Sequence, residues 1–258
     1  RRSAGLAAAT ARARWAHGTW PAAVLLCPRT MRRATALLAA LLAVPGPGAA
    51  AAAAPLFTLR LGPGLERPGA EAASVLVDGA ELRAELGFRP DAVARARVAD
   101  SLNSTGWIQL LVETGASSRV PNDVKTYAAG FVEGLLTAVR ISQFYSNFYQ
   151  SLMKDQENAR AMGNIRQAFR EELQYVTRKS NFQRGPASPE PQEAYWKHVR
   201  YVLAQLWGLR DGYNRVAASR GVAMLELEDL LAINSHAELP ELLQAEASRR
   251  PAATGALL

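Results

Sequence analysis

Cysteine is almost missing from this chain. The single one among 258 residues, Cys27, precedes the first methionine, Met31. Everything after Met31 is therefore free of thiols, which excludes a disulfide, a thiolate-bound zinc and a cysteine nucleophile from that part. Histidine is nearly as scarce: beyond His17 there are only His198 and His236. Neither has a second histidine at ligand spacing, and no H-E-x-x-H or G-x-S-x-G motif occurs. His198, within "YWKHVRY", reads as a helix-surface residue, and His236, in "NSHAELP", as a loop residue. Spacing alone identifies no catalytic set, no metal site and no cofactor motif. The apolar run from Ala34 to Val44 is eleven residues long, short of the roughly 20 that a membrane-spanning helix requires.

Acidic residues are absent from the start of the chain, where the first is Glu66. Seven basic residues (Arg1, Arg2, Arg12, Arg14, Arg29, Arg32 and Arg33) stand in that stretch up to residue 33. Taking these seven from the 30 Lys and Arg leaves 23, facing 23 Asp and Glu. The net charge of +7 thus belongs to the leader, and the balanced body argues against a nucleic-acid partner. From Met31 the order is that of a secretory signal: Arg32 and Arg33, the apolar run, then small residues near Ala49 to Ala54. Residues 31–54 are expected to be a signal peptide and residues 1–30 an untranslated or disordered leader. A chain routed this way enters an oxidising compartment without disulfides, so its stability rests on packing.

The remainder divides into a strand-forming part and a helical part. "ASVLVDG" (Ala73 to Gly79) and "LRAELGF" (Leu82 to Phe88) form a hairpin pattern with Asp78-Gly79 near the turn. "GWIQLLVETG" (Gly106 to Gly115) predicts a third strand, apolar enough to be covered on both faces. A helix is expected from Asn122 or Asp123, one of them as its cap, to about Tyr149, with a break on the way. Others are expected over 154–179, after Pro189 and Pro191 with a stripe Tyr195, Val199, Val202, Leu206 and Leu209, and over 224–233.

Within the first helix, Val124, Tyr127, Ala128, Phe131, Val132, Leu135, Leu136 and Val139 keep an unbroken apolar face. Gly130 and Gly134 flank it four residues apart. Each costs the helix about 0.8–1 kcal/mol relative to alanine, so close approach of another backbone is expected to offset the loss. The alternative, an amphipathic helix on a membrane, lacks the Lys/Arg-rich polar face it would need. "NST" at Asn103 to Thr105 is an N-glycosylation acceptor, in a polar turn before a strand.

"STGWIQLLVETG", "YAAGFVEGLLTA", "YWKHVRYVLAQLWGLRDGY" and "MLELEDLLAINSHAELPELL" together resemble the phospholipase B-like family over about residues 73–243. The resemblance implies an α+β fold, part of an N-terminal nucleophile hydrolase with stacked β-sheets between helical layers. It implies a glycosylated precursor in the secretory pathway, bound for the lysosome lumen or the extracellular space. It also implies hydrolysis of phospholipid acyl esters, with an amidase of the same fold as the alternative, by a cysteine that autocleavage exposes. No residue here matches that cysteine. Residues 55–243 are accordingly expected to be the N-terminal part of the domain, 244–258 a divergent disordered tail, and the catalytic C-terminal chain a missing partner. The competing expectation is a noncatalytic secreted helical interaction module. A lone fragment is expected to expose sheet edges and an apolar face.

Overall fold

The computed structural model describes residues 59–65, 69–78, 81–117, 119–181 and 190–248. The expected leader, signal peptide and Cys27 lie outside the described residues. Five strands form one sheet: β1 (Leu59–Leu61), β2 (Ala72–Asp78), β3 (Glu81–Leu86), β4 (Ala94–Ser101) and β5 (Trp107–Thr114). Their order is β1-β3-β2-β4-β5, with β1 parallel to β3 and the other pairs antiparallel. The β2–β3 hairpin closes at Asp78↔Glu81, in the expected place.

Strand β4 escapes a sequence reading because its alternation is Ala/Arg, a poor strand signature. The pleat sorts it cleanly: Ala94 and Ala96 are buried towards the helices, and Arg95 and Arg97 point to the opposite face. Strand β5 is an edge strand, not one covered on both faces. Trp107 is 73% exposed and Leu110 38%. The face away from the helices carries Arg83, Glu85, Arg95, Arg97 and Glu113 in register. Arg83 pairs with Glu85 at 2.9 Å and Arg95 with Glu113 at 2.8 Å, while the Arg95 guanidinium lies 4.5 Å from the Phe88 ring centre. Much of the face expected to be exposed and apolar is thus occupied by charged residues that pair with one another, while Trp107, Val77 and Leu86 are the most exposed apolar side chains of the sheet.

Helix α1 (Asn122–Phe144) lies on the inner face of the sheet and leads into a π-helical turn, Tyr145–Tyr149, which is the expected break. The N-cap is Pro121, neither Asn122 nor Asp123. Asp123 sits inside the first turn, where it favours the helix dipole and pairs with Arg200 at 3.2 Å. Helices α2 (Gln156–Asn181), α3 (Glu190–Arg220), α4 (Leu227–Asn234) and α5 (Leu239–Ser248) follow. The expected tail begins at residue 244, inside α5, and residues 249–258 lie outside the described part.

Along α1 and α3 the two backbones touch. A Cβ on Gly130 would collide with the Gln205 carbonyl, and one on Gly134 with that of Leu209. Reciprocally, Gly208 and Gly212 of α3 face the carbonyls of Tyr127 and Phe131. The expected close approach is therefore present, with a matching glycine pair on the partner helix. These glycines set the roll of α3: Leu203, Ala204, Tyr213, Val216 and Ala217 are buried, and of the expected stripe Leu206 and Leu209 pack against the core while Tyr195 and Val202 are 46% and 67% exposed.

A second, smaller core joins Met162, Ile165 and Phe169 of α2 to Tyr149, Ala232, Leu239 and Leu243.

Candidate functional site

The α1–α3 contact opens at one end into a cleft of about 530 Å³. Its walls are Leu59, Tyr127, Phe131, Asp211, Arg215 and Met224, with Arg210 and Asn214 beside them. Polar groups reach it because they interrupt apolar helix faces: Tyr127 stands on the buried face of α1, and Arg210–Asp211 fall between the two glycines of α3.

Inside the cleft, the Tyr127 hydroxyl donates to Asp211 Oδ2 at 2.7 Å. Arg210 donates from Nε to Asp211 Oδ1 at 2.9 Å, and its Nη2 lies 2.7 Å from the same oxygen. Burial first, then the neighbouring Asp211 charge, hold the Tyr127 phenol far above its ordinary range. It is a fixed donor, not a base or nucleophile. Asn214 pins the far wall by donating to the Leu225 carbonyl at 2.9 Å and accepting from the Leu225 N–H at 2.8 Å. The cleft therefore offers hydrogen bonds and shape but no activated nucleophile.

Two further acids are held in unusual surroundings. Glu133 on α1 accepts from Gln205 Nε2 at 3.0 Å, and burial raises its carboxyl above the usual range. Asp229 forms a capping box with Glu226 at the start of α4. Arg166 Nη2 lies 3.1 Å from its Oδ1, yet burial still raises its pKa. The adjacent Glu228 accepts from Arg170 Nε at 2.6 Å. These groups join helices.

His198 is exposed on α3 with its ring centre 5.9 Å from that of Tyr201. His236 packs edge-on against Phe144 and Phe148, at 5.3 and 5.9 Å. Neither histidine lines the cleft. Among the described residues, no cluster of three or more His, Cys, Asp or Glu could hold a metal ion, and no helix is long and apolar enough to cross a membrane. Asn103 is exposed in a single helical turn, Leu102–Thr105. That turn ends on left-handed Gly106 (φ 77°), and the Thr105 hydroxyl donates to the Ser101 carbonyl at 3.0 Å.

The cleft residues Asp211 and Asn214 went unnoticed in sequence. The one available signal is the polar "RDGYN" that follows the mostly apolar "VLAQLWGL" in the same helix.

Comparison with known proteins gives the arrangement a context. A sequence model of the family described as phospholipase B matches residues 94–255, from β4 onwards and past α5. Phospholipase B-like 1 of Bos taurus is 30% identical over 145 residues, covering 56% of this chain and 25% of the relative. Phospholipase-B 81 of Drysdalia coronoides is 28% identical over 147 residues, covering 57% of this chain and 25% of the relative. Phospholipase B of Crotalus adamanteus is 26% identical over 147 residues, again with 57% and 25% covered. The chain thus spans about a quarter of the length of these curated relatives. With more than half of its residues matched by the family model, the chain belongs to the phospholipase B family.

Proposed function

We propose that this chain is the N-terminal part of a phospholipase B-type hydrolase of phospholipid acyl esters, and that the catalytic groups lie on polypeptide beyond these 258 residues. One observation carries the reading: the family match covers only about a quarter of each relative, while the chain's own cleft holds a locked Tyr–Asp–Arg set and no activated nucleophile. Ester hydrolysis needs a nucleophile, a base and oxyanion donors. The described residues contribute a framework for such a site, within a complete fold of the N-terminal nucleophile hydrolase type. The secretory route, to the lysosome lumen or outside the cell, follows from the signal pattern at residues 31–54, and Asn103 is the proposed glycan attachment point.

The test is fatty-acid release from phosphatidylcholine vesicles across acidic to neutral pH. The chain alone is expected to release none above a buffer blank, and the chain supplied with the rest of a family member is expected to release it. Turnover by the chain alone that vanishes in His198→Ala or His236→Ala would overturn the assignment. In the same secreted material, glycosidase should shift the parent on a gel but leave Asn103→Gln unshifted; equal behaviour of the two would remove the glycan.

A further inference from the structure

Nearly every polar side chain of the α1–α3 cleft is already committed. Both oxygens of Asp211 are engaged, Oδ2 by the Tyr127 hydroxyl and Oδ1 by Arg210. Asn214 uses its donor and its acceptor on Leu225. The Glu226 carboxylate accepts the Asp229 N–H in the capping box of α4. Arg215 is the exception: among the described residues, no carboxylate lies within ion-pair reach of it and no side-chain hydrogen bond holds it.

The reason is local. An aspartate four residues before an arginine is its ordinary helical partner, and Asp211 stands at that spacing from Arg215. Tyr127, reaching across from α1, and Arg210 occupy the Asp211 carboxylate instead. The Arg215 charge still acts within the cleft, where it opposes the upward shift of the Tyr127 phenol. The other lining among the described residues is apolar: Leu59 and Phe131 are buried, Ala218 is exposed and Met224 is 61% exposed. A cleft of about 530 Å³ lies within the size range of small-molecule sites, about 300–1,000 Å³, which are mostly apolar with a few placed polar groups. An uncommitted guanidinium and an apolar wall therefore meet in one cleft.

We infer that this cleft binds a single-chain amphiphile with an anionic head, the Arg215 guanidinium taking the head and Leu59, Phe131 and Met224 the hydrocarbon chain. The head is a carboxylate or a phosphate, since the planar guanidinium meets either with two parallel hydrogen bonds. A cationic head has no partner of its own, because Asp211 is already neutralised by Arg210. The flexible, polarisable side chain of Met224 suits a chain of variable shape. Two sources supply such a molecule: a free fatty acid, the product class of the proposed hydrolysis, and an anionic lysophospholipid. The fatty acid as source rests on the hydrolase reading, whereas the site rests on Arg215 and its surroundings alone.

The experiment titrates the 258-residue chain, secreted from eukaryotic cells and carrying methyl-labelled methionine, with dodecanoate, dodecyl phosphate, dodecyltrimethylammonium and dodecyl maltoside, each below its micelle concentration. Calorimetry gives the affinity, and the Met224 methyl resonance gives the place. At least one of the two anions is expected to bind about tenfold or more tighter than the cationic and neutral amphiphiles, as a charge-assisted contact requires, and to move the Met224 resonance. Arg215→Gln, at an exposed position, should weaken that anion about tenfold and abolish the preference for an anionic head. Met224→Gln should weaken all chains alike and keep the preference. If Arg215→Gln fails to fold, the head preference of the parent and of Met224→Gln decides. Equal binding of all four heads, parent-like affinity in Arg215→Gln, an unmoved Met224 resonance, or no binding of either anion overturns the inference. The tighter of the two anions names the source, dodecanoate for a fatty acid and dodecyl phosphate for a lysophospholipid, and either order upholds the site. Binding without fatty-acid release, once the rest of a family member is supplied, would keep the cleft assigned and refute the hydrolase reading, and release without binding would do the reverse.

Discussion

Two helix contacts in this molecule are made on opposite principles. Between α1 and α3 the backbones meet through Gly130, Gly134, Gly208 and Gly212, with side chains excluded from the line of contact. Between α2 and α4, beside the apolar packing of the second core at Ala232, the polar link is made by the ends of long side chains: Arg166 reaches Asp229 at 3.1 Å and Arg170 reaches Glu228 at 2.6 Å. The first contact has no slack, because a carbonyl oxygen in a regular helix cannot step aside. The second has much, because an arginine can change rotamer. Tolerance to substitution should therefore differ sharply between the two.

The largest effect is expected at the tight contact. Gly134→Val places atoms where the Leu209 carbonyl lies, and overpacking of this kind costs about 3 kcal/mol or more when the backbone must separate. Denaturant unfolding measures it. A loss below about 1 kcal/mol would erase the distinction between the two contacts. A smaller effect is expected from Arg166→Ala, which leaves Asp229 buried without its cation. Loss of one partner of a fully buried pair costs about 3–5 kcal/mol. With the Arg166 side chain 31% exposed, about 2 kcal/mol is the expectation, and a loss as large as that of Gly134→Val would contradict it.

The smallest effect is a gain, and it tests whether a polar group also has a cost inside the tight contact. Burial raises the pKa of Glu133 above its unfolded value, against the opposing hydrogen bond from Gln205. The folded chain therefore holds this proton more tightly than the unfolded one, so stability is greatest below the unfolded pKa and falls as pH rises through the folded value. Glu133→Gln removes that loss. It should raise neutral-pH stability by up to about 1 kcal/mol, the ordinary scale of a single substitution, and flatten the pH profile on the acid side. An unchanged slope would show that Glu133 is solvated in solution.

What could be read from the sequence follows the same division. The β2–β3 hairpin, the extent of β5 and the face of α1 are local patterns, each specified by residues within one element, and all three are present in the fold. Gly130 and Gly134 announced a close approach because an interior glycine has a cost that only packing offsets. The roll of α3 could not be inferred in the same way. Its apolar stripe competes with Gly208 and Gly212, and their role becomes visible only when α1 is laid against them. Strand β4 was hidden by arginines that belong on a charged face, and β5 looked doubly covered because Trp107 and Leu110 are apolar yet exposed. The cleft was least legible. Tyr127 and Asp211 are 84 positions apart, and neither carries a motif that calls for the other.

Glycines spaced by four on both helices also restrict how the molecule can move. Four residues advance a helix by about 6 Å, so α1 and α3 can slide past each other only in steps of that size, since any shorter shift presses a side chain into the opposing backbone. Gradual shear, the common way packed helices adjust to a ligand, is closed to this pair. The two helices must travel as one rigid lever, and any rearrangement of the fold has to take place around them, at the arginine-tethered α2 for instance, but not between them.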